Sequence, residues 1–509
     1  MSKLTIYFTS DTHGYLYPTN FHDEKPRAMG LLSMRFPKDG NTLVIDGGDT
    51  LQGSPLTYYC HAKGLPMPLK DAMNDLGYDY VTLGNHDFNY GYLTLQDHLT
   101  GLDARCLCAN IRDLRGELPI FPCAVRTLEN GLRVGLVGIV TSWVNRWEKP
   151  ENLMDFEIGD PFQAAKQAVE ALKGQYDVLV GIYHGGLEKD PETGRLLSAT
   201  DENIACRLCE GLPFDLLLTG HQHIPMADIH YHGTHVVQTP CNAVAYVKVV
   251  LDGDGRFSSE LVAPEIRASL KPWQKSLYKD LTAWLDKPIG RLSQPLRPCG
   301  KLEMALDGSE IADFFNMVQM DASGAQVSCT SLGNELRGFE SEVSVRDVVA
   351  SYVYANTLVV LEATGDVLRR ALEQCARYFS VGEQGVSIAE PFLRPKQAHY
   401  NYDYFYGIRY EFDLSRPAGS RVTLLEFGSR AVQPDDRLTL VMNNYRATGA
   451  GDFECFLECP RLKEIQTDVS ELILNYLAGR DLVEIPKERP YRVIRPEESG
   501  AGHTFKTTS

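Results

Sequence analysis

The chain has 509 residues, 43% of them apolar and 23% charged, and a net charge of −17. That length exceeds one ordinary core and points to two large domains or more, with the composition of a soluble globular protein. The negative charge argues against a nucleic-acid polymer or a membrane surface as partner, since a phosphate backbone would be repelled; a small phosphorylated ligand at a locally positive metal site is compatible with it.

No apolar run is long enough to span a bilayer. Met1-Ser2-Lys3 leads directly into a strand-like Leu4–Thr9, without the pattern of an export leader, so a cytoplasmic location is expected. The oligomeric state is not legible. The twelve cysteines are scattered, with no recurring zinc spacing. Cys106/Cys108 and Cys206/Cys209 share faces at strand and helix spacing, as buried small residues do.

In chain order, residues 1 to 265 alternate short apolar strands with helical patterns. The strands expected are Leu4–Thr9, Thr42–Ile45, Tyr80–Leu83, Val134–Ile139, Val178–Ile182, Leu216–Leu218 and Val236–Gln238. Helices are expected over Pro68–Leu76 and Pro161–Lys173. This alternation predicts a layered α/β domain. Residues 266–290 read as a connector: Trp273, Leu277, Leu281, Trp284 and Leu285 fall on one helical face, which fits a bridge or a surface helix packed on one domain equally well. Residues 291–495 have a mixed texture. A strand over Thr357–Ala363 leads into a helix over Asp366–Phe379, an aromatic-rich stretch covers His399–Tyr406, and a strand over Leu438–Met442 ends in a glycine-rich turn. Residues 496–509 read as a flexible tail.

Five segments share one design, an apolar strand followed by a turn rich in metal-capable side chains. They are Ser10–His13, Gly47–Gly53, Gly84–Asp87, Tyr183–Gly186 and Thr219–His223. Strand ends of this kind are where open α/β folds place their sites. On an extended segment, residues at i and i+2 point the same way, so Asp11 with His13, and His221 with His223, can each converge on one point. The candidate ligands are Asp11, His13, Asp49, Asn85, His184, His221 and His223. Carboxylate, imidazole and amide donors without thiolate suit Mn²⁺, Zn²⁺ or Fe²⁺. Seven ligands fit two divalent ions with Asp49 as the natural bridge. Such ions, about 3.5–4 Å apart, can bind a phosphoryl oxygen each and hold a bridging hydroxide for in-line attack. Two carboxylates against two divalent ions leave the site positive, which favours an anionic substrate.

With these motifs in place, the chain resembles the calcineurin-like metallophosphoesterases, and among them the two-domain 5′-nucleotidase superfamily. Asp11-x-His13, Gly48-Asp49-x-x-Gln52-Gly53-Ser54, Gly84-Asn85-His86-Asp87, His184 and Gly220-His221-x-His223 carry the likeness, which covers nearly the whole chain. It implies a four-layer αββα sandwich followed by a second, α+β domain for substrate specificity, with the active site between them. It also implies that Asp11, His13, Asp49 and His223 hold one ion, and Asp49, Asn85, His184 and His221 the other. His86 becomes the catalytic group that stabilises the transition state or protonates the leaving oxygen.

Typical 5′-nucleotidases pair this histidine with an aspartate three residues on, where this chain has Asn89. The Asn form resembles the 2′,3′-cyclic-nucleotide 2′-phosphodiesterase branch. So does Asn443-Asn-Tyr-Arg-Ala, and so does the segment from Val345 to Leu358. The resemblance implies an aromatic clamp on the nucleobase, matched here by Tyr402 and Tyr445, and more loosely a phosphate-binding arginine at Arg337. The expectation is a dinuclear phosphohydrolase of 2′,3′-cyclic nucleotides and 3′-nucleotides, with 5′-nucleotides or a nucleotide sugar as the alternative. A non-catalytic nucleotide sensor is disfavoured by the intact ligands in all five segments. A hydrolase of another anion is disfavoured by the aromatic clamp.

Overall fold

The computed structural model describes residues 3–496 apart from 24, 195, 198–200, 267–269, 335, 353–355, 384, 395–396, 466 and 488. The expected tail over 496–509 lies outside the described residues from 497 onward. The chain divides into two compact units, Met1–Leu281 and Thr282–Ser509. The division falls inside a helix, Pro272–Leu285, where the sequence predicts a connector.

Two sheets build the first unit. One has seven strands, in the order Phe257–Val262, Tyr246–Leu251, Leu4–Thr9, Thr42–Asp46, Tyr80–Val81, Arg105–Leu107 and Ile120–Phe121. The other has six, in the order Met226–Tyr231, Thr234–Gln238, Leu216–Thr219, Val178–His184, Arg133–Val140 and Cys123–Thr127. The inner strands of each run parallel. Phe8, Ile45, Val247 and Val249 of the first sheet pack against Leu136, Val180, Ile182 and Leu218 of the second in one apolar cluster, all nearly solvent-free. The outer face of the six-stranded sheet is covered by helices Pro161–Ala171 and Ala205–Gly211 through Ala165, Val169 and Leu208, with Phe214 beside them. Burial on both faces explains why these strands read as near-continuous apolar runs rather than alternating ones.

The expected strands are present, with ends displaced by one or two residues. Tyr80–Leu83 is shorter than the sequence suggests, pairing only at Tyr80 and Val81. Its continuation is squeezed against the neighbouring loop. A Cβ at Gly84 would lie 2.1 Å from Asp49 Oδ1 and 2.4 Å from its backbone nitrogen, so the close approach admits only glycine there.

The second unit has a five-stranded sheet, ordered Asp403–Tyr406, Val327–Ser331, Arg437–Asn443, Leu358–Thr364 and Arg461–Ile465. A four-stranded sheet consists of Arg430–Ala431, Val422–Phe427, Arg409–Asp413 and Tyr491–Ile494. Helix Glu310–Ser323, capped by Ser309 Oγ on the Ala312 N–H, presents Phe314, Phe315 and Val318 to the core. Among the described residues, no helix is long and apolar enough to cross a membrane.

Candidate metal centre

Five strand ends, three from the seven-stranded sheet and two from the six-stranded one, supply the ligands. Leu4–Thr9 delivers Asp11 and His13, Thr42–Asp46 delivers Asp49, and Tyr80–Val81 delivers Asn85 and His86. Val178–His184 ends in His184, and Leu216–Thr219 delivers His221 and His223. A sixth strand, Arg133–Val140, delivers no candidate ligand. It leads into a segment carrying Trp147, Glu148 and Asn152, which the sequence reading leaves out.

Donor atoms of Asp11, His13 and His223 lie within 4.8 Å of one another, as do those of Asp49, His184 and His221. Asn85 Oδ1 is 3.2 Å from His184 Nε2, and Asp49 Oδ2 is also 3.2 Å from that nitrogen. The seven predicted ligands therefore form two adjoining groups. A third group, Asp228, His230 and His235, lies on the hairpin of Met226–Tyr231 and Thr234–Gln238; its His235 Nε2 is hydrogen-bonded to Ser259 Oγ.

His221 and His223 do not converge on one point; they enter different groups. Nor are these turns extended. Asp11, His13, Asp49, His221 and His223 all have positive φ, between 47° and 70°. A left-handed backbone costs roughly 1–2 kcal/mol for a residue with a Cβ. Five such residues in one place mark strain maintained by the surrounding packing and concentrated at a functional site.

Each imidazole's free nitrogen follows from what holds its other one. His13 Nδ1 faces the Gln52 carbonyl at 2.9 Å, and His184 Nδ1 faces the Gly47 carbonyl at 2.8 Å. A carbonyl only accepts, so both rings carry their proton on Nδ1 and leave Nε2 bare. His221 Nε2 faces Glu202 Oε1 at 3.0 Å, which leaves Nδ1 bare. His13 Nε2 lies 3.1 Å from His223 Nε2, and His223 Nε2 lies 3.3 Å from Asp11 Oδ1. Imidazole nitrogens sharing one zinc-like ion sit about 3.3 Å apart when each bond is near 2.0–2.1 Å. Carbonyl and carboxylate partners behind ligating histidines are the usual outer shell of a metal site. The residues present therefore fit divalent cations.

Charge points the same way. Asp11 and Asp49 are fully buried, and among the described residues no lysine or arginine bonds either one. Burial opposes their ionisation, but the surrounding histidines hold both carboxyls below the usual range. Burial also disfavours charge on His184, yet Asp49 and Asp11 overcome it and raise the imidazole to about 9. Burial lowers His13 to about 4 despite Asp49. A site that pulls this strongly on positive charge is one a divalent ion can fill.

Two buried aspartates are scaffold. Asp87 accepts from the N–H groups of Asp49, Thr50, Leu51 and Gly84 at 2.8–2.9 Å, tying the second strand-end loop to the third. Asp46 accepts from Thr9, Thr50 and Gly48, and burial pushes it up to about 7. His86 donates its backbone N–H to Asp49 Oδ1 at 2.7 Å, while its ring meets Asn89.

In the second unit Tyr445 is 46% exposed and projects from the turn after Arg437–Asn443. Tyr402 is a correction. Its ring is 2% exposed, packed among Tyr378, Phe379 and Tyr404, and its hydroxyl donates to the Ala305 carbonyl at 3.2 Å. A ring enclosed on all sides cannot stack on a base. Arg337 is about half exposed, with Nε 3.5 Å from Asp347 Oδ1. Arg446 passes unremarked in the sequence reading. It is fully buried, forks onto both oxygens of Asp403 at 2.8 and 2.9 Å, and reaches the Tyr400 and Ala450 carbonyls. It anchors the turn that carries Tyr445.

The fold and the donor set define a metal-dependent phosphoesterase. A profile of the calcineurin-like phosphoesterases matches residues 4–225, and one of the 5′-nucleotidase C-terminal domain matches residues 288–458. A crystal structure of a putative 5′-nucleotidase from Staphylococcus aureus is 33% identical, with a TM-score of 0.78, covering 96% of this chain and 99% of that one. The chain belongs to the calcineurin-like phosphoesterases that carry a 5′-nucleotidase C-terminal domain. Among curated relatives, the 2′,3′-cyclic-nucleotide 2′-phosphodiesterase/3′-nucleotidase of Yersinia enterocolitica is 26% identical over 88% of this chain and 82% of its own length. The trifunctional nucleotide phosphoesterase YfkN of Bacillus subtilis is 23% identical over 99% of this chain, which spans 40% of that protein's length.

Proposed function

We propose that the chain hydrolyses nucleotide phosphoesters, with 2′,3′-cyclic nucleotides and 3′-nucleotides as its preferred substrates. The observation that carries this reading is the gathering of two histidine–carboxylate groups, with Asn85 beside them, at five strand ends. Asp11, His13 and His223 would hold one divalent ion, and Asn85, His184 and His221 the other, with Asp49 shared; Mn²⁺, Zn²⁺ and Fe²⁺ suit the donors. Bound there, such ions would supply charge neutralisation for phosphoryl oxygens and acidify a bound water.

The chain's own part is orientation and proton supply. The His86 N–H fixes Asp49 Oδ1, so the second carboxylate oxygen turns toward His184. The water oxygen forms the new bond to phosphorus and gives up its proton to solvent, while the ester P–O bond breaks. His86 delivers a proton from Nε2 to the departing ribose oxygen. Tyr445 offers the nucleobase a ring face. The cyclic and 3′ preference is supported by Asn89, by the Asn443–Ala447 segment, and by relatives of that name at 24–26% identity. The second reading, 5′-nucleotide hydrolysis, is favoured by the name of the Staphylococcus aureus structure.

Purified protein with Mn²⁺ should be assayed against 2′,3′-cyclic AMP, 3′-AMP, 5′-AMP and UDP-glucose. Turnover of the first two at the highest kcat/KM is expected. Turnover of none removes the enzymatic reading, and turnover confined to 5′-AMP removes the substrate preference.

A further inference from the structure

His86 is backed by a chain of two residues that ends in a buried carboxylate. It is the second residue of a 3₁₀ turn, Asn85–Phe88, capped by Asn89; side chains three apart eclipse in such a turn, and this sets His86 over Asn89. His86 Nδ1 lies 2.8 Å from Asn89 Oδ1, and Asn89 Nδ2 donates to Glu148 Oε2 at 2.8 Å. Glu148 is 7% exposed. Its other oxygen accepts from the Lys149 N–H at 2.7 Å and from Asn152 Nδ2 at 2.9 Å. Asn152 also donates to the Asn89 carbonyl at 3.1 Å, which closes the network around Asn89.

The order of donors leaves one arrangement. Glu148 receives three N–H donors, as a carboxylate does. An ionised carboxylate only accepts, so the NH₂ end of the Asn89 amide must face it. The carbonyl end must then face His86, and His86 must hold a proton on Nδ1. Its Nε2 is thereby reserved for the substrate side.

We propose that Glu148 is a positioning residue for the reaction, acting through Asn89 to fix the tautomer and aim of His86. The carboxylate that 5′-nucleotidases place directly against this histidine is here set one amide further back and supplied by a different strand end. The proposal rests on the role of His86 in delivering the leaving-group proton.

Two readouts on the full-length chain test it. The first is the ring ¹⁵N spectrum of histidine-labelled protein without added metal, with His86 assigned by the H86Q variant. The Nδ1–H form is expected in the wild type, and a mixture of tautomers in E148Q, whose amide can turn Asn89 around. The second is kinetics with Mn²⁺ on a ribonucleotide ester, whose alkoxide needs a proton, and on p-nitrophenyl phosphate, whose phenolate does not. E148Q should lower kcat on the nucleotide by about tenfold or more with KM held, and change the aryl ester little. N89D/E148Q, which places a carboxylate directly on His86, should recover most of the loss. An unchanged tautomer in E148Q overturns the proposal, as does unchanged kcat on the nucleotide. Equal loss on both esters without recovery in N89D/E148Q likewise shows a merely structural role and overturns it. A wild type inactive on both esters defeats the hydrolase reading instead, and the tautomer result still decides the relay.

Discussion

The two units handle buried charge differently. In the first, Asp11 and Asp49 face a collection of imidazole nitrogens, and no arginine or lysine among the described residues closes on them. In the second, Asp403 is matched by Arg446 with a two-pronged ion pair, and two further guanidinium N–H groups reach the Tyr400 and Ala450 carbonyls. The first arrangement is incomplete without added positive charge, so it can bind cations. The second is complete in itself, so it serves to hold a loop. The burial of the charged atoms is similar; what differs is whether the carboxylate's partners are fixed donors, as at Asp403, Asp87 and Asp46, or imidazoles that leave room for a cation, as at Asp11 and Asp49.

The comparison breaks most sharply if Asp49 is dispensable. Asp49→Ala removes the carboxylate proposed to be shared between the ions. Transition-state stabilisation by the metal site is worth several kcal/mol, so kcat should fall by roughly 10³ or more. The stability of the metal-free protein should not fall in parallel, because an uncompensated buried charge is removed with it. A kinetic assay paired with thermal melts in chelator reads both; residual activity within tenfold of wild type would refute the assignment.

Arg446→Ala should show the opposite pattern. It strands Asp403 without its partner and should cost about 3–5 kcal/mol of second-unit stability, measured by denaturant unfolding. Cation content of the protein, counted by elemental analysis, should stay at the wild-type value. Tyr402→Ala belongs to the same class and should cost about 3–5 kcal/mol as a core aromatic truncation. Were Tyr402→Ala to keep its stability and lose only substrate affinity, its assignment to the core would be wrong.

Metal removal comes next. A cation bound by the folded chain and not by the unfolded one stabilises by about 2.7 kcal/mol at a hundredfold excess over its Kd. Chelation should therefore lower the melting temperature of the wild type and leave that of Asp49→Ala nearly where it was. An identical drop in both proteins would place the bound cations elsewhere.

These contrasts track what the sequence made legible. The ligands could be read because each follows an apolar strand within a few residues, so local pattern and site coincide. Even so, the mechanism inferred from spacing was wrong in kind: left-handed turns, not extended pairs, aim Asp11, His13 and Asp49. Glu148, Glu202 and Asp87 were missed as working residues. Each acts by a contact to a loop distant in sequence, or to backbone N–H groups, and neither leaves a recurrent spacing. Arg446 was hidden inside a recognisable motif because its partner, Asp403, lies 43 positions away. Tyr402 misled because its burial comes from tertiary packing against Tyr378, Phe379 and Tyr404, and the whole stretch from Tyr402 to Phe405 is buried, which a run of aromatics does not reveal by itself.

The smallest effect tests the surface that the buried pair supports. Tyr445 stands half exposed on a turn held from beneath by Arg446, whose guanidinium carbon is 5.9 Å from the Tyr445 ring centroid and 4.2 Å from that of Phe453. Stacking on a base contributes about 1–3 kcal/mol and tolerates any base. Tyr445→Ala should therefore raise KM for purine and pyrimidine substrates alike, by roughly tenfold, with kcat and the melting temperature held. Tyr445→Phe should retain the wild-type KM, since the ring face is kept and only the hydroxyl is lost. If p-nitrophenyl phosphate, which has no base, shows the same KM increase in Tyr445→Ala, the side chain is shaping the phosphate site rather than holding a nucleobase. The division between a cation-seeking first unit and a base-presenting second unit would then have to be redrawn.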